Sequence, residues 1–349
     1  MGDLGVDAKW NISVVIPALN AENYLPVLIG KIEAQTLLPK EIIVVDSSPT
    51  GVLADVLRKW NGHIPIIHKK IGPAYPGQAR NIGAELAKGD WISFIDCRTI
   101  PSYNWLETCA SLVERTGAEF VDARFICDAD THFQQILRAA TYGTSPTRTL
   151  AGSIVLKEAF QQSGGFQNVR AGEDIEWMHR MEALGFQVGK AISPTIRYNG
   201  LTESLSGTIQ KWYVYSFTNA SVQIRGDQKI LYLLIFFSLA FAFIYNWNAV
   251  FTGWDATNIL FVPNITKLYV VVVVVAYMVY RGIIRPLQVK VKLSFLLPWR
   301  WLKVGLVGLC IDIAKAPGLI FGATLMLKRI ISDAVEIEPK KNHGFKPNL

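Results

Sequence analysis

The chain has 349 residues, of which 50% are hydrophobic and only 18% charged, with a formal net charge of +7. That length allows one α/β domain plus a further segment, and the apolar excess in the last third excludes an ordinary soluble enzyme. The basic residues cluster beside apolar segments, which favours nucleotide phosphates, lipid phosphates or an anionic membrane as partners and argues against nucleic acid.

Met1 to Asn11 has no apolar core and does not read as a signal peptide, so the first domain is expected in the cytoplasm. Strands are predicted at 13–17, 41–46, 64–68 and 91–96, and helices at 21–35, 52–60 and 78–87. The strands are continuous apolar runs, the pattern of a parallel sheet covered on both faces. In such sheets a ligand sits outside the carboxyl ends of the strands. Asp46 and Asp96 both stand at such ends.

The stretch 131–205 reads as loops and helices. Gly164-Gly165-Phe166 marks a turn, and a helix over 173–184 stops at Gly185. Residues 209–222 form an amphipathic helix carrying Trp212, Tyr213, Tyr215 and Phe217. Its Gln210-Lys211-Trp212 resembles the Gln-x-x-Arg-Trp of processive membrane synthases only with altered spacing, so an interfacial helix is the reading adopted.

Residues 230–251 carry no formal charge and are long enough to cross a bilayer. A second crossing is expected at 265–284, with Lys267 and Arg281 snorkelling at its ends. A third apolar stretch, 304–327, contains Asp312, Lys315 and Pro317. It is open between a span and a re-entrant or interfacial helix, and Asp312 and Lys315 are placed to neutralise each other. Lys211, Arg225 and Lys229 precede the first span, and Arg281, Arg285, Lys290, Lys292, Arg300 and Lys303 follow the second. This asymmetry puts the α/β domain and the 281–303 segment on one, cytoplasmic, side of a multi-pass inner-membrane protein. Residues 331–349 read as a tail.

Cys97, Cys109, Cys127 and Cys310 have no metal or redox spacing, and the five histidines, His63, His68, His132, His179 and His343, are scattered.

Five segments, in order, resemble family 2 glycosyltransferases. They are Val14-Val15-Ile16-Pro17-Ala18-Leu19-Asn20-Ala21-Glu22, Ile42-Ile43-Val44-Val45-Asp46-Ser47-Ser48, Gly77-Gln78-Ala79-Arg80-Asn81-Ile82-Gly83, Phe94-Ile95-Asp96-Cys97-Arg98-Thr99-Ile100-Pro101, and Gly164-Gly165-Phe166 followed by Gly172-Glu173-Asp174. The resemblance implies an α/β GT-A fold, Rossmann-like with a mostly parallel sheet, over 1–205. An interfacial helix follows at 206–228, then two to three membrane helices within 229–330. It implies a nucleotide-sugar donor, a UDP-sugar, held by Pro17, Ala18, Asn20, Glu22, Asp46, Arg80, Asp96 and Arg98. It implies Asp174 as general base with Glu173 beside it, and a lipid or lipid-linked acceptor at the membrane.

Each residue also has a plainer reading: Pro17 and Asn20 as strand-end and cap residues, Asp46 as a turn former, Arg80 in a structural ion pair, and Glu173-Asp174 as acids at a helix N-terminus. Where the family carries a second acid for Mg²⁺ or Mn²⁺, this chain has Arg98. Three readings stand open: a metal held by Asp96 and the diphosphate, Arg98 replacing the metal's charge, or a site without activity. A processive polysaccharide synthase and an inactive scaffold or sugar-nucleotide sensor are the competing functions.

Overall fold

The computed structural model describes residues 10–193, 195–221 and 264–336. The expected span 230–251, the end of the interfacial segment past residue 221, and residues 337–349 of the expected tail lie outside the described residues.

Nine strands form one sheet among the described residues: Ile12–Ala18 (β1), Glu41–Asp46 (β2), Ile66–Lys70 (β3), Trp91–Phe94 (β4), Thr99–Pro101 (β5), Phe120–Cys127 (β6), Thr147–Leu156 (β7), Val188–Lys190 (β8) and Ile196–Tyr198 (β9). Their order is β3-β2-β1-β4-β7-β6-β9-β5, with β8 also on β6. The first four strands are parallel, and β7 runs antiparallel to both β4 and β6. The sheet is mostly parallel and Rossmann-like, as the apolar strand pattern predicts.

The continuous apolar strands are explained by two cores. Val14 and Ile16 of β1 and Ile42 and Val44 of β2 pack on one face with Leu25, Leu28 and Ile32. Val15, Ile43 and Val45 point into the other face with Phe94, Phe120 and Trp177. Each face buries apolar area at about 25 cal/mol per Å², so both sides of these strands contribute to stability. The helices of this domain are Leu25–Glu33 (α1), Val52–Arg58 (α2), Pro76–Leu86 (α3), Trp105–Thr116 (α4), His132–Ala140 (α5), Lys157–Gln162 (α6) and Glu173–Ala183 (α7). Pro76 at the first position of α3 needs no hydrogen-bond partner for its missing N–H.

Two boundaries differ from expectation with consequences. The third strand runs two residues further than predicted, through His68-Lys69-Lys70, because parallel pairing carries the polar end along β2 until Lys70 lies opposite Asp46. The stretch 131–205, read as loops and helices, contains β7, β8 and β9. β8 and β9 have only three residues each, and β7 holds Gly152 at φ +85° within it, so none of the three shows a clean alternation.

Helix Leu205–Ser221 (α8) leads out of the domain. Later come Asn264–Val279 (α9), which passes through a π-helical turn at Tyr280–Ile284 into Arg285–Gln288 (α10), then Leu293–Leu296 (α11) and Arg300–Glu336 (α12). Among the described residues, two stretches, Val271–Gln288 and Arg300–Phe321, are long and apolar enough to cross a membrane.

The charges in these stretches pair differently from expectation. Arg281 does not snorkel; it is 6% exposed, its Nε lies 2.9 Å from Asp312 Oδ2, and it donates to Gly308 O at 3.2 Å. Tyr277 donates to the same Asp312 oxygen at 2.8 Å. Asp312 therefore joins two helices instead of neutralising Lys315, whose ammonium sits 4.3 Å from the Trp212 ring centroid. The first turns of α12 share a core with the α/β domain: Val304, Val307 and Ile311 pack with Cys127, Ile136 and Leu137.

Candidate functional site

The loops after β1, β2 and β4, the first turn of α3 and the start of α7 meet at the carboxyl edge of the sheet. Arg80 is the centre of this meeting. Its guanidinium is buried, at 5% exposure, and donates through one terminal nitrogen to Glu173 Oε1 at 2.7 Å and through the other to Asp96 Oδ1 at 2.8 Å. It also lies 5.7 Å from the Phe166 ring centroid. Burial works against its charge, but the surrounding carboxylates of Asp96, Glu173 and Asp174 raise its pKa still further.

Backbone shape puts these groups in reach. Gly77, in the first turn of α3, lies against residues 166–173: an added Cβ would meet Gln167 O at 2.7 Å and Glu173 Cγ at 3.0 Å. Gly172 has φ +86°, a left-handed conformation that glycine adopts freely, and from there α7 starts with Glu173 and Asp174 at its N-terminus. Gly77→Ala is expected to displace this contact and lower stability by about 1–3 kcal/mol, measured by denaturant unfolding.

Asp174 is partly exposed, and one of its carboxylate oxygens accepts from Ile175 N–H at 2.9 Å. Burial raises its pKa, with Asp96 adding to the rise, against the pull of Arg80 and the Ile175 N–H. Glu173 is raised as well, chiefly by burial, although Arg80 opposes this. A raised carboxylate is the ordinary requirement for proton transfer near neutral pH.

Asp96 lies two residues past β4, its side chain 41% exposed. Thr99 fixes the turn, donating from both N–H and hydroxyl to Asp96 O. Arg98 is exposed, with its guanidinium 5.0 Å from the Tyr24 ring centroid. It therefore leans toward the loop after β1.

That loop is cross-tied to the one after β2. Ser47 donates to Ala18 O from its N–H at 2.9 Å and its hydroxyl at 3.1 Å, and Asn20 N–H donates to Ser48 Oγ at 2.8 Å. Asn20 has φ +50°, a left-handed conformation that asparagine tolerates. Pro17 O accepts from Cys97 Sγ at 3.1 Å, and Glu22 is half-buried nearby in sequence.

Asp46 is fully buried and satisfied from within the protein. Its Oδ1 accepts from Ser48 N–H at 2.8 Å, and its Oδ2 lies 3.0 Å from Lys70 Nζ and 3.4 Å from His68 Nε2. Burial raises its pKa, but the Ser48 and Lys70 contacts outweigh that and hold it below the usual carboxylate value. The structure thus gathers Arg80, Asp96, Glu173 and Asp174 into one group, with Pro17 and Ala18 at the end of β1 and Asn20 in the loop after it. Asp46 sits apart, with Lys70.

Sequence reasoning missed Lys70, His68 and the inner face of α8. The strand register alone places Lys70 beside Asp46. On α8, Lys211 lies 5.8 Å from the Tyr198 ring centroid and 5.7 Å from that of Tyr215, and burial lowers its pKa. The Tyr215 hydroxyl is pushed up by burial and by the charges of Asp174, Glu173 and Asp96. The helix expected at the membrane surface thus also packs Lys211 against Tyr198 of β9.

Among the described residues no three His, Cys, Asp or Glu side chains are grouped to hold a metal ion. Asp96 has one oxygen committed to Arg80 and lies beside two guanidinium-bearing residues. This donor set does not make a divalent-cation site by itself.

Residues 13–166 match the family model described as glycosyl transferase family 2. The chain is 26% identical over 202 residues to the glycosyltransferase GlyG of Streptococcus pneumoniae, covering 51% of this chain and 66% of that protein. It is 27% identical over 183 residues to an uncharacterized glycosyltransferase of Rickettsia bellii, covering 48% and 25%. It is 33% identical over 91 residues to a poly(ribitol-phosphate) beta-glucosyltransferase of Bacillus spizizenii, covering 24% and 14%. The alignments span less than two thirds of each of these relatives' lengths.

Proposed function

We propose, from the match of residues 13–166 to the glycosyl transferase family 2 model, that the chain is an inverting glycosyltransferase that moves a sugar from a nucleotide-sugar, a UDP-sugar, to a membrane-associated acceptor. The observation that carries the reading is the Arg80 bridge, which holds Asp96 on one side and Glu173, the neighbour of Asp174, on the other.

In this reading Asp174 accepts the proton of the acceptor hydroxyl as that oxygen attacks the anomeric carbon. The bond from the anomeric carbon to the diphosphate oxygen breaks, and the diphosphate leaves with the electron pair. Arg98, exposed beside Asp96, meets the developing negative charge. Pro17, Ala18, Asn20 and Glu22 line the nucleotide side. Asp46 acts there by fixing Ser48 and Lys70. Glu173 holds Arg80, which positions Asp96.

The acceptor class is argued from the chain's own layout. The helix that follows the α/β domain, α8, packs Phe217 against Phe321 of α12, a helix with a stretch of membrane-spanning length, which favours a polyisoprenyl phosphate or a lipid-linked glycan. The Bacillus spizizenii relative acts, by its name, on poly(ribitol-phosphate), which favours a cell-surface polymer pathway.

The test is UDP release from a panel of UDP-sugars in membranes, with metal omitted and added. Turnover is expected to persist in EDTA and to fall by about 10²-fold in Arg98→Ala. Loss of turnover in EDTA with recovery on adding Mn²⁺ overturns the role of Arg98. Equal transfer to soluble sugars in detergent overturns the acceptor class.

A further inference from the structure

We propose that residues 285–303 dock on the anionic phospholipid face of a membrane and that this docking shapes a cleft between the α/β domain and α8. The inference rests on the reading above only in placing the chain at a membrane.

Charge points to the occupant. From Ala256 to Ile311 the sequence contains no Asp or Glu, while Arg285, Lys290, Lys292, Arg300 and Lys303 all fall within 285–303. Interleaved with these are exposed apolar side chains: Leu293 and Leu297 at 47% and Trp299 at 71%. Exposed leucines and a tryptophan among cations, with no acid, suit the headgroup level of an anionic leaflet. A protein partner of acidic character would match the cations but would not require an exposed tryptophan between two apolar stretches of membrane-spanning length.

The same segment is tied to the α/β domain. Thr144 N–H and Ser145 N–H donate to Val289 O at 2.9 and 3.2 Å, and Thr144 Oγ1 donates to Lys290 O at 2.6 Å. Val291 and Leu296 are buried in one core with Leu137 and Ala140. The loop so fastened joins α5 to β7, and its Thr141 and Tyr142 line a small cleft with Lys211 and Trp212 of α8. A force on 285–303 thus has a short route, through two backbone carbonyls and one loop, to the wall of that cleft.

The experiment uses the full chain in nanodiscs of phosphatidylcholine, with and without phosphatidylglycerol. Hydrogen exchange is read in residues 141–147 and 285–303, and UDP release is read in the same discs. Phosphatidylglycerol is expected to slow exchange in both segments and to raise turnover. Each cation near an anionic leaflet is worth roughly fivefold in association. The variant Lys292→Gln/Arg300→Gln/Lys303→Gln is therefore expected to lose the lipid response by on the order of tenfold or more. A separate Trp299→Ser variant, with every charge intact, is expected to weaken it. Exchange in 285–303 that ignores lipid composition overturns the docking. Protection of 285–303 without protection of 141–147 overturns the coupling. If no donor turns over in any disc, the transfer reading fails, and the exchange comparison still decides this one.

Discussion

Asp174→Asn is expected to reduce the transfer rate by about 10²–10⁴-fold while leaving the affinity for the nucleotide-sugar unchanged. The amide keeps the shape and the bond from Ile175 N–H but cannot take a proton. Steady-state kinetics separates the two effects: kcat falls and the donor KM holds. A variant with full rate removes Asp174 from the base position.

The pH profile checks the same assignment. A general base works only when deprotonated, so activity falls as pH drops through its pKa. Burial raises the Asp174 pKa, which moves the acid limb of kcat/KM above the ordinary carboxylate range. Arg80 opposes that rise. An active Arg80 variant that removes the positive charge should therefore shift the limb to still higher pH.

Arg80→Ala is expected to cost about 3–5 kcal/mol of folding stability, the usual penalty for leaving buried charges without their partner. Glu173 loses a 2.7 Å contact at a position only 4% exposed. The Asp96 oxygen loses its 2.8 Å donor as well. Arg80→Lys is a sharper probe, because one ammonium on a flexible stem cannot match the two-pronged geometry of a guanidinium. It should retain more stability than the alanine variant yet lose transfer rate. Denaturant unfolding beside UDP release reads both. An Arg80→Ala protein as stable as the parent would show that the bridge is not stabilising.

Much of the first half of the α/β domain was legible because its signals are local. Val14 to Pro17, Ile42 to Asp46 and Trp91 to Asp96 are apolar runs ending in polar residues, and Pro76 and Gly77 announce a helix start. The grouping of Arg80 with Asp96 was foreseeable from the motifs; its second bond, to Glu173, was not, since it joins residues 93 positions apart. Lys70 was hidden for a different reason. A polar His-Lys-Lys ending reads as the end of a strand, and only the pairing register of β3 on β2 reveals that it stays in the sheet. The short strands β8 and β9 owe their existence to β6, on which both pair, and carry no pattern of their own. In the apolar C-terminal part, Asp312 and Lys315 looked like a local pair by spacing. The competing partner, Arg281, lies 31 residues earlier and was visible only once the helices were packed.

The two-handed grip of Arg80 limits how this protein can be recombined. A crossover between Asp96 and Glu173 would bring together a bridge from one parent and an acid from another. A fragment ending at residue 166 would keep Arg80 and Asp96 but leave half of the guanidinium without its carboxylate. Chimeras meant to exchange donor or acceptor preference should inherit residues 77–96 and 164–174 from a single parent, with breakpoints placed outside that pair.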